Sequence, residues 1–377
     1  MASGLSPLTK RLHSLRLSGT LTFQFKTIPA LWRGWILPHW PEFTALISDT
    51  SFMIVKPQEM VKIPINDFIT GKSIPVNIYI KLSEEKFILI AKAGDQIELE
   101  QLKKYQNRNV DHLYVHNADY AFMINQNLKI AGVLLNHKDL AHSKKTQLLT
   151  KMSKNVLESL QRMKITDDSI ETVKEVTSKT VALVEAKPDL LSLIKSIAAT
   201  DEGTAAHAMA VSATSVLIAK ELQWKNPAII EKLALGGFLV DVGMKEIPPE
   251  IAKKRRVEMS HADLKEYETH PYRGALLLES LKTVPDDVVS MVYEHHENAM
   301  GQGFPRRLKD LTMHPLAKVV ALANAFCELT FKAHPEDKPK TALEAIDFLE
   351  KTMGQPFNKE AFGALKSLVQ RGESEAA

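Results

Sequence analysis

Two adjacent histidines follow an apolar stretch in the segment MVYEHHENAMGQGFP, residues 291 to 305. Side chains at consecutive helical positions point about 100° apart, so packing alone would leave several ring nitrogens of His295 and His296 without partners. A metal ion would satisfy these nitrogens. The glycines that follow, Gly301 and Gly303, leave the backbone free to bring both rings to one ion. The pair therefore indicates a metal site.

Three earlier residues extend this chemistry along the chain. His207 lies among small and apolar residues, Asp241 closes the apolar run LALGGFLV, and His270 precedes Pro271, which is expected to start a helix. A single histidine on an apolar face is more often a core residue than a ligand, but a carboxylate there needs a partner or an ion. Aspartate and histidine ligands suit iron, manganese or zinc. An aspartate that bridges two ions about 3.5–4 Å apart would favour hydrolysis of a phosphate ester.

Helices are expected to carry these residues. From about residue 146 the chain shows helical patterning almost to its end, as in the helix predicted after Pro188-Asp189. Residues 60 to 130 differ, because VNIYIKL, KFILIAKAGD and HLYVHN are typical of strands, with a helix over 97–106 between them. The predicted fold class is mainly α, with a helical bundle preceded by a small α+β N-terminal domain.

The composition is that of an ordinary globular protein, with 45% apolar and 25% charged residues. A net charge of +3 gives no argument for binding a nucleic acid polymer. The single cysteine, Cys327, excludes an internal disulfide and fits a reducing compartment. No apolar run is long enough to cross a membrane. We therefore expect a cytoplasmic protein without a membrane span.

The first 52 residues have a different composition from the rest of the chain. They hold three of the four tryptophans and five Lys/Arg against two Asp/Glu. They could be a disordered tail, a segment that touches a membrane through its tryptophans, or sequence upstream of a true start at Met53 or Met60. We favour the last hypothesis, because clear patterning begins only there. The expected divisions are an extension at 1–52, a regulatory α+β domain at 53–135, a helical linker region at 146–200 and a metal-binding domain at 201–370.

The order His, Asp-x-Gly, His-Pro-x-x-Gly, His-His-Glu and Gly-x-Pro, between about Asp201 and Thr330, resembles the HD-GYP family. Members of that family are bacterial metal-dependent phosphodiesterases that linearise cyclic di-GMP on an all-helical HD-domain fold. The resemblance implies an HD-domain bundle over residues 201–370. The strand-rich segment 60–130 is also similar to an N-terminal domain attached to some members.

The resemblance implies two metal positions, and this chain keeps the ligands of only one. One ion would be held by the counterparts of Asp241, His270, His295 and His296. The other would use His207 and Asp241 together with the positions of Val240 and Asn324, which offer no charged ligand here. Losing a ligand often costs about 10–100-fold in metal affinity. We therefore expect one ion rather than two, unless the carboxylate of Glu202 or Glu328 supplies a replacement ligand. Iron or manganese is expected more than zinc.

Two further positions depart from the family. Met244 replaces a lysine, with Lys245 beside it as a substitute, and Phe304 keeps the ring of the family's tyrosine without its hydroxyl. We expect catalytic roles for Asp241 and Lys245, and substrate contacts for Lys245, Phe304 and Arg306. The expected metal ligands are His207, Asp241, His270, His295 and His296.

Three functions remain open at this point. The favoured one is a catalytically impaired metal-binding receptor or scaffold of cyclic di-GMP signalling, with a cyclic dinucleotide as ligand and protein partners from the pathway. The alternative is an active phosphodiesterase with a rearranged site. The third is a helical interaction module with relic histidines, which the intact ligand set of one ion argues against. The helices expected over 146–200 are compatible with a homodimer, although no heptad repeat is sustained.

Overall fold

Alternating apolar residues build an antiparallel sheet in the first of two compact units, Met1–Gln126. In this computed structural model, Leu113 and Val115 are fully buried and alternate with partly exposed neighbours, which is the pattern of a half-buried strand. The sheet contains β3 (Met60–Pro64), β4 (Ile78–Ser83), β5 (Lys86–Ala91) and β6 (His112–His116) in the order β3-β6-β4-β5, and a separate pair contains β1 (Thr22–Phe23) and β2 (Phe52–Met53). Helix α1 (Leu99–Gln106) precedes β6. The strands predicted in VNIYIKL, KFILIAKAGD and HLYVHN are confirmed.

The structure describes residues 22–23, 52–53, 60–65, 73–83, 86–96, 99–108, 110–117, 119–120, 122–124, 132–133, 135, 139–201, 203–332, 336 and 338–376. The interpretations of residues 1–52 therefore fall outside the described residues, apart from β1 and the first residue of β2. Glu202, named above as a substitute ligand, also falls outside them. The start at Met53 or Met60 stays a prediction.

The second unit, Asn127–Ala377, is helical in the part that the structure describes. Its helices are α2 (His142–Arg162), α3 (Asp167–Ala186), α4 (Leu190–Ala198), α5 (Thr204–Glu221), α6 (Pro227–Leu239), α7 (Pro249–Ala252), α8 (His261–Tyr267), α9 (His270–Glu279), α10 (Asp286–Glu294), α11 (Pro315–Thr330), α12 (Ala342–Asp347) and α13 (Lys359–Ala376). Short 3-10 helices lie at Val240–Glu246, Arg256–Glu258 and Asp310–Thr312, and a π-helical turn lies at Phe348–Thr352. The predicted fold class, a mainly helical bundle after a small α+β region, is confirmed.

Helix α5 forms the centre of this unit. It is rich in alanine and serine and is buried over almost its whole length, and it packs against α2, α3, α6 and α11. Small side chains allow a close approach: a Cβ on Gly237 of α6 would lie 2.9 Å from the Cα of Ser212 on α5. The Ser212 hydroxyl also donates to the Ala234 carbonyl at 2.8 Å. Close packing of α5 and α6 brings Asp241, two residues beyond the end of α6, next to His207 of α5.

Local sequence signals set the helix ends near the site. The Asp189 side chain caps α4 by accepting from the Ser192 N–H at 3.0 Å, as Pro188-Asp189 predicted. Pro271 lies in the first turn of α9, and α10 ends at Glu294, directly before the two histidines. Helices α2 to α4, which span most of the expected linker region 146–200, pack on α5 within this unit. No helix among the described residues is long and apolar enough to cross a membrane.

Candidate metal centre

Four side chains from three segments of the helical unit converge on one point. Asp241 lies in the Val240–Glu246 turn, His270 is the first residue of α9, and His295 and His296 follow the end of α10. One ligand atom from each of these four residues, here called the Asp-His cluster, lies within 4.8 Å of all the others. His270 and His295 are buried, and Asp241 is about one-third exposed. The cluster is therefore a nearly closed site with one accessible side.

Glycines let the supporting segments approach closely. A Cβ on Gly243 would overlap the carbonyl oxygen of His270 and would lie 2.5 Å from the amide nitrogen of Gly274. A Cβ on Gly303 would overlap the carbonyl oxygen of His296. No side chain fits at either position without a shift of the backbone, so both glycines are needed for the cluster to assemble.

The protons of two rings are fixed by backbone carbonyls. The Nδ1 atom of His270 lies 2.8 Å from the carbonyl oxygen of Tyr267, and the Nδ1 atom of His295 lies 2.7 Å from that of Val292. A carbonyl oxygen only accepts, so each Nδ1 must carry the proton and each Nε2 must present a lone pair. The two Nε2 atoms lie 3.2 Å apart. Two lone pairs therefore face each other across the centre of the cluster.

Burial keeps these rings neutral. It lowers the pKa of His270 to about 4 and, with the neighbouring His270, lowers the pKa of His295 to about 3. Burial also lowers the pKa of His296 well below its ordinary value. With both rings neutral, no proton bridges the facing nitrogens, and a cation between them would relieve their repulsion. The donor set of three imidazoles and one carboxylate fits a divalent transition metal ion.

Asp241 directs its two oxygens to different sides. Its Oδ1 lies 3.5 Å from His270 Nε2 and 3.9 Å from His295 Nε2, whereas its Oδ2 lies 3.7 Å from His207 Nε2. The His207 Nε2 atom lies closer still, 2.8 Å, to the amide oxygen of Asn324. The Asn324 amide nitrogen in turn donates to Glu328 Oε1 at 3.3 Å. His207 therefore adjoins the cluster as a hydrogen-bond donor, and the prediction that it binds metal applies only to a second ion.

A loop after the two histidines covers the cluster. The Phe304 ring stacks on the His296 ring with centroids 4.4 Å apart and planes 24° apart. Buried Glu297 holds the loop by accepting from the N–H groups of Arg306 at 2.6 Å and Leu308 at 2.8 Å. Phe304 thus lies where a contact with substrate was expected, although its role there stays a prediction.

Two expected roles are not supported by the positions of the side chains. The Lys245 ammonium donates to the carbonyl oxygens of Leu160 at 2.9 Å and Met163 at 2.7 Å, at the C-terminal end of α2. Lysine is favoured at such a helix end because the free carbonyls carry partial negative charge. These two hydrogen bonds engage the ammonium at the end of α2, and the predicted phosphate contact of Lys245 stays a prediction. Arg306 places its guanidinium 5.3 Å from the centroid of the Tyr293 ring and 3.5 Å from the buried carboxylate of Glu294, rather than on the cluster.

Sequence reasoning missed two residues beside the site. Tyr267 supplies the carbonyl that orients His270 and packs its ring 4.9 Å from that imidazole, centroid to centroid. Its position three residues before a helix-starting histidine was the only available signal. Arg256 places its guanidinium carbon 5.5 Å from the Phe304 ring centroid. Arg256 lies within the basic run KKRR, which is usually a solvated surface.

Comparisons with known proteins agree with this geometry. Residues 192–360 match the family described as HD domain. The chain is 29% identical over 180 residues to the cyclic di-GMP phosphodiesterase PA4108 of Pseudomonas aeruginosa, an alignment that covers 48% of this chain and 42% of that protein. The chain thus spans less than half the length of this relative. A solved structure, Bd1817, an HDG"Y"P protein from Bdellovibrio bacteriovorus, is similar with a TM-score of 0.60.

That structure is 24% identical in sequence, and the similarity covers 83% of this chain and all of the solved chain. At this identity the likeness concerns the fold. The HD-domain match covers the helical region that holds the Asp-His cluster. Residues 192–360 match the HD-domain family, and fold, sequence and candidate ligand residues together support the resemblance to the HD-GYP family.

Proposed function

We propose that this protein binds one divalent transition metal ion at the Asp-His cluster and acts in cyclic di-GMP signalling as a receptor or scaffold with little or no hydrolysis. The observation that carries the proposal is the pair of unprotonated Nε2 atoms of His270 and His295, 3.2 Å apart. A cation between the two nitrogens would satisfy both lone pairs. Asp241, His270, His295 and His296 would hold the ion, and iron or manganese suits this donor set better than zinc.

The hydrogen bonds of Asn324 argue against a second ion. Its amide oxygen lies 2.8 Å from His207 Nε2, and its amide nitrogen donates to Glu328. The His207 nitrogen that would face a second ion therefore carries a proton. Val240, the other position that would supply a ligand, is fully buried and apolar. Two-ion hydrolysis requires both ions to clamp the attacking and leaving oxygens.

A site with one ion could still bind a ligand. A bound ion would act as a Lewis acid toward a phosphate oxygen. Phe304 would present its ring to the ligand, and Glu297 would hold the loop that carries that ring. The similarity to a cyclic di-GMP phosphodiesterase supports a cyclic dinucleotide as the ligand.

A second candidate function is slow hydrolysis of cyclic di-GMP at a rearranged site. Glu328 favours it, because its Oε1 atom lies 3.8 Å from His296 Nδ1 and its side chain is 41% exposed. A change of rotamer would bring this carboxylate to the side of the cluster where Asn324 replaces the family's aspartate. Turnover would then depend on Glu328, so Glu328→Gln would abolish it while leaving the first ion in place.

The binding proposal is tested with manganese-loaded full-length protein and cyclic di-GMP. Saturating ligand should raise the melting temperature, because a ligand that binds only the folded state stabilises it. His296→Gln should lose both the metal and this shift. The matched control His261→Gln changes an exposed histidine at the start of α8 and should keep both. A shift of the same size in His296→Gln would contradict the proposed site.

A further inference from the structure

Arg256 is a cation beside the two aromatic rings that pack on the Asp-His cluster. Its guanidinium carbon lies 5.5 Å from the centroid of the Phe304 ring and 5.7 Å from that of the Tyr267 ring. Phe304 stacks on His296, and Tyr267 packs against His270. The two aromatic rings therefore hold the guanidinium one ring away from two members of the cluster, in the arrangement of a cation–π contact.

The charge of Arg256 reaches the cluster. It acts on Glu328, whose Oε1 atom lies 3.8 Å from His296 Nδ1. Arg256 thus adds positive potential beside the cluster, which would favour an anionic ligand there.

No described carboxylate lies within ion-pair distance of the Arg256 side chain, which is exposed. Its neighbour Arg255, by contrast, donates to Glu336 at 3.0 Å. A guanidinium held over aromatic rings keeps its N–H groups free in the ring plane, and that fork matches two oxygens of a phosphate. Arg256 therefore has the position and the unused donors of an anion-binding residue.

The neighbouring lysine does not fill this role. Lys245 donates to two carbonyl oxygens of α2, and Met244 is uncharged. A phosphodiester at the cluster would still need a cation besides the metal. We infer that Arg256 binds a phosphate group of a nucleotide phosphodiester held at the Asp-His cluster. This inference rests on the proposed function and adds to it the residue that recognises the anion.

The test compares Arg256→Gln with Arg255→Gln in the full-length, manganese-loaded protein. The probes are cyclic di-GMP and inorganic phosphate, with affinities measured by calorimetry or competition and metal content measured in the same samples. Arg256→Gln should weaken both probes by about tenfold to a hundredfold, the usual effect of losing hydrogen bonds to a charged group. Metal content should not change. Arg255→Gln should bind both probes like the native protein, and Arg256→Lys should fall between the two.

The outcomes separate the two proposals. Cyclic di-GMP binding that is equal in native protein and Arg256→Gln would overturn the role of Arg256 while leaving the proposed function intact. Weaker cyclic di-GMP binding with unchanged phosphate binding would also overturn it, because Arg256 would then contact a base. A loss of metal in Arg256→Gln would show that the residue supports the cluster rather than the ligand. Native protein that binds metal but neither probe would overturn the inference together with the proposed ligand.

Discussion

At the scale of single residues, hydrogen-bond direction decides what each histidine can do. His270 and His295 give their Nδ1 protons to carbonyl oxygens and turn their Nε2 lone pairs inward. His207 turns its Nε2 toward the oxygens of Asn324 and Asp241, so that nitrogen carries the proton. Three rings of one residue type thus divide into two that present a lone pair to the Asp-His cluster and one hydrogen-bond donor. The division depends on the carbonyl or amide that faces each ring.

Asn324→Asp should create a weak second metal site. An aspartate there would give His207 a charged partner and would supply a ligand that the amide cannot. We expect the metal-to-chain ratio, measured by mass spectrometry after equilibration with excess manganese, to rise from about one toward about two. The control is Asn226→Asp, which changes the cap of α6 far from any ligand residue in the sequence. An unchanged ratio in Asn324→Asp would show that Asn324 is not what excludes the second ion.

At the scale of elements, the cluster depends on how closely the Val240–Glu246 turn packs on α9. The turn supplies Asp241 and the helix supplies His270, and Gly243 and Gly274 lie between them. The loop after His296 is held in a similar way by Gly303 and by the two hydrogen bonds to Glu297. Backbone contacts thus set the positions of the ligands before any metal binds.

Gly243→Ala should damage both stability and metal binding. Its methyl group would overlap the His270 carbonyl oxygen, and backbone overlap of this kind costs about 1–3 kcal/mol or more. Chemical denaturation should show that loss, and the displaced His270 should lower manganese affinity. Gly363→Ala is the matched control, because nothing lies within 4 Å of a Cβ there and the helix should gain up to about 1 kcal/mol. Equal stability of the two variants would contradict the packing described for the turn.

The sequence alone predicted most of these elements and the convergence of the cluster. The order and types of Asp241, His270, His295 and His296 indicated one site, because apolar helices ending in ligand residues leave few other uses for them. The partners of Lys245 were not predictable, since the α2 carbonyls that bind it lie more than eighty positions away. The same holds for Arg256, which reaches the site through packing on Phe304. Contacts with residues distant in the sequence set the direction of the long, flexible side chains of Lys245 and Arg256.

At the scale of the whole molecule, the helical unit buries imidazoles in their neutral form, and this burial lowers the stability of the fold in acid. The folded protein without metal takes up protons on His270 only near pH 4 and on His295 near pH 3, whereas the unfolded chain takes them up near pH 6.5. The unfolded state therefore binds more protons between these values. The stability from these groups is complete above about pH 6.5 and falls as the pH drops toward 4, by ~1.4 kcal/mol per pH unit for each histidine.

The melting temperature of the metal-free protein should therefore be lower at pH 5.5 than at pH 7.5. Calorimetry in the presence of a chelator would measure the difference. With manganese the difference should widen, because protons compete with the ion for the same nitrogens. His296→Gln should show a smaller difference than the control His261→Gln. A melting temperature that does not change between the two pH values would contradict the burial of neutral rings.

The central claim, one ion at the Asp-His cluster, is tested most directly by the metal-to-chain ratio of native protein purified without air or chelator. We expect about one ion per chain, because the four side chains of the Asp-His cluster converge on one point and Asn324 is hydrogen-bonded to His207 where a second ion would lie. About two ions would mean that Glu328 or another group completes the second position, and hydrolysis of cyclic di-GMP would then be expected. A chain without metal, even after equilibration with manganese or iron, would contradict the claim.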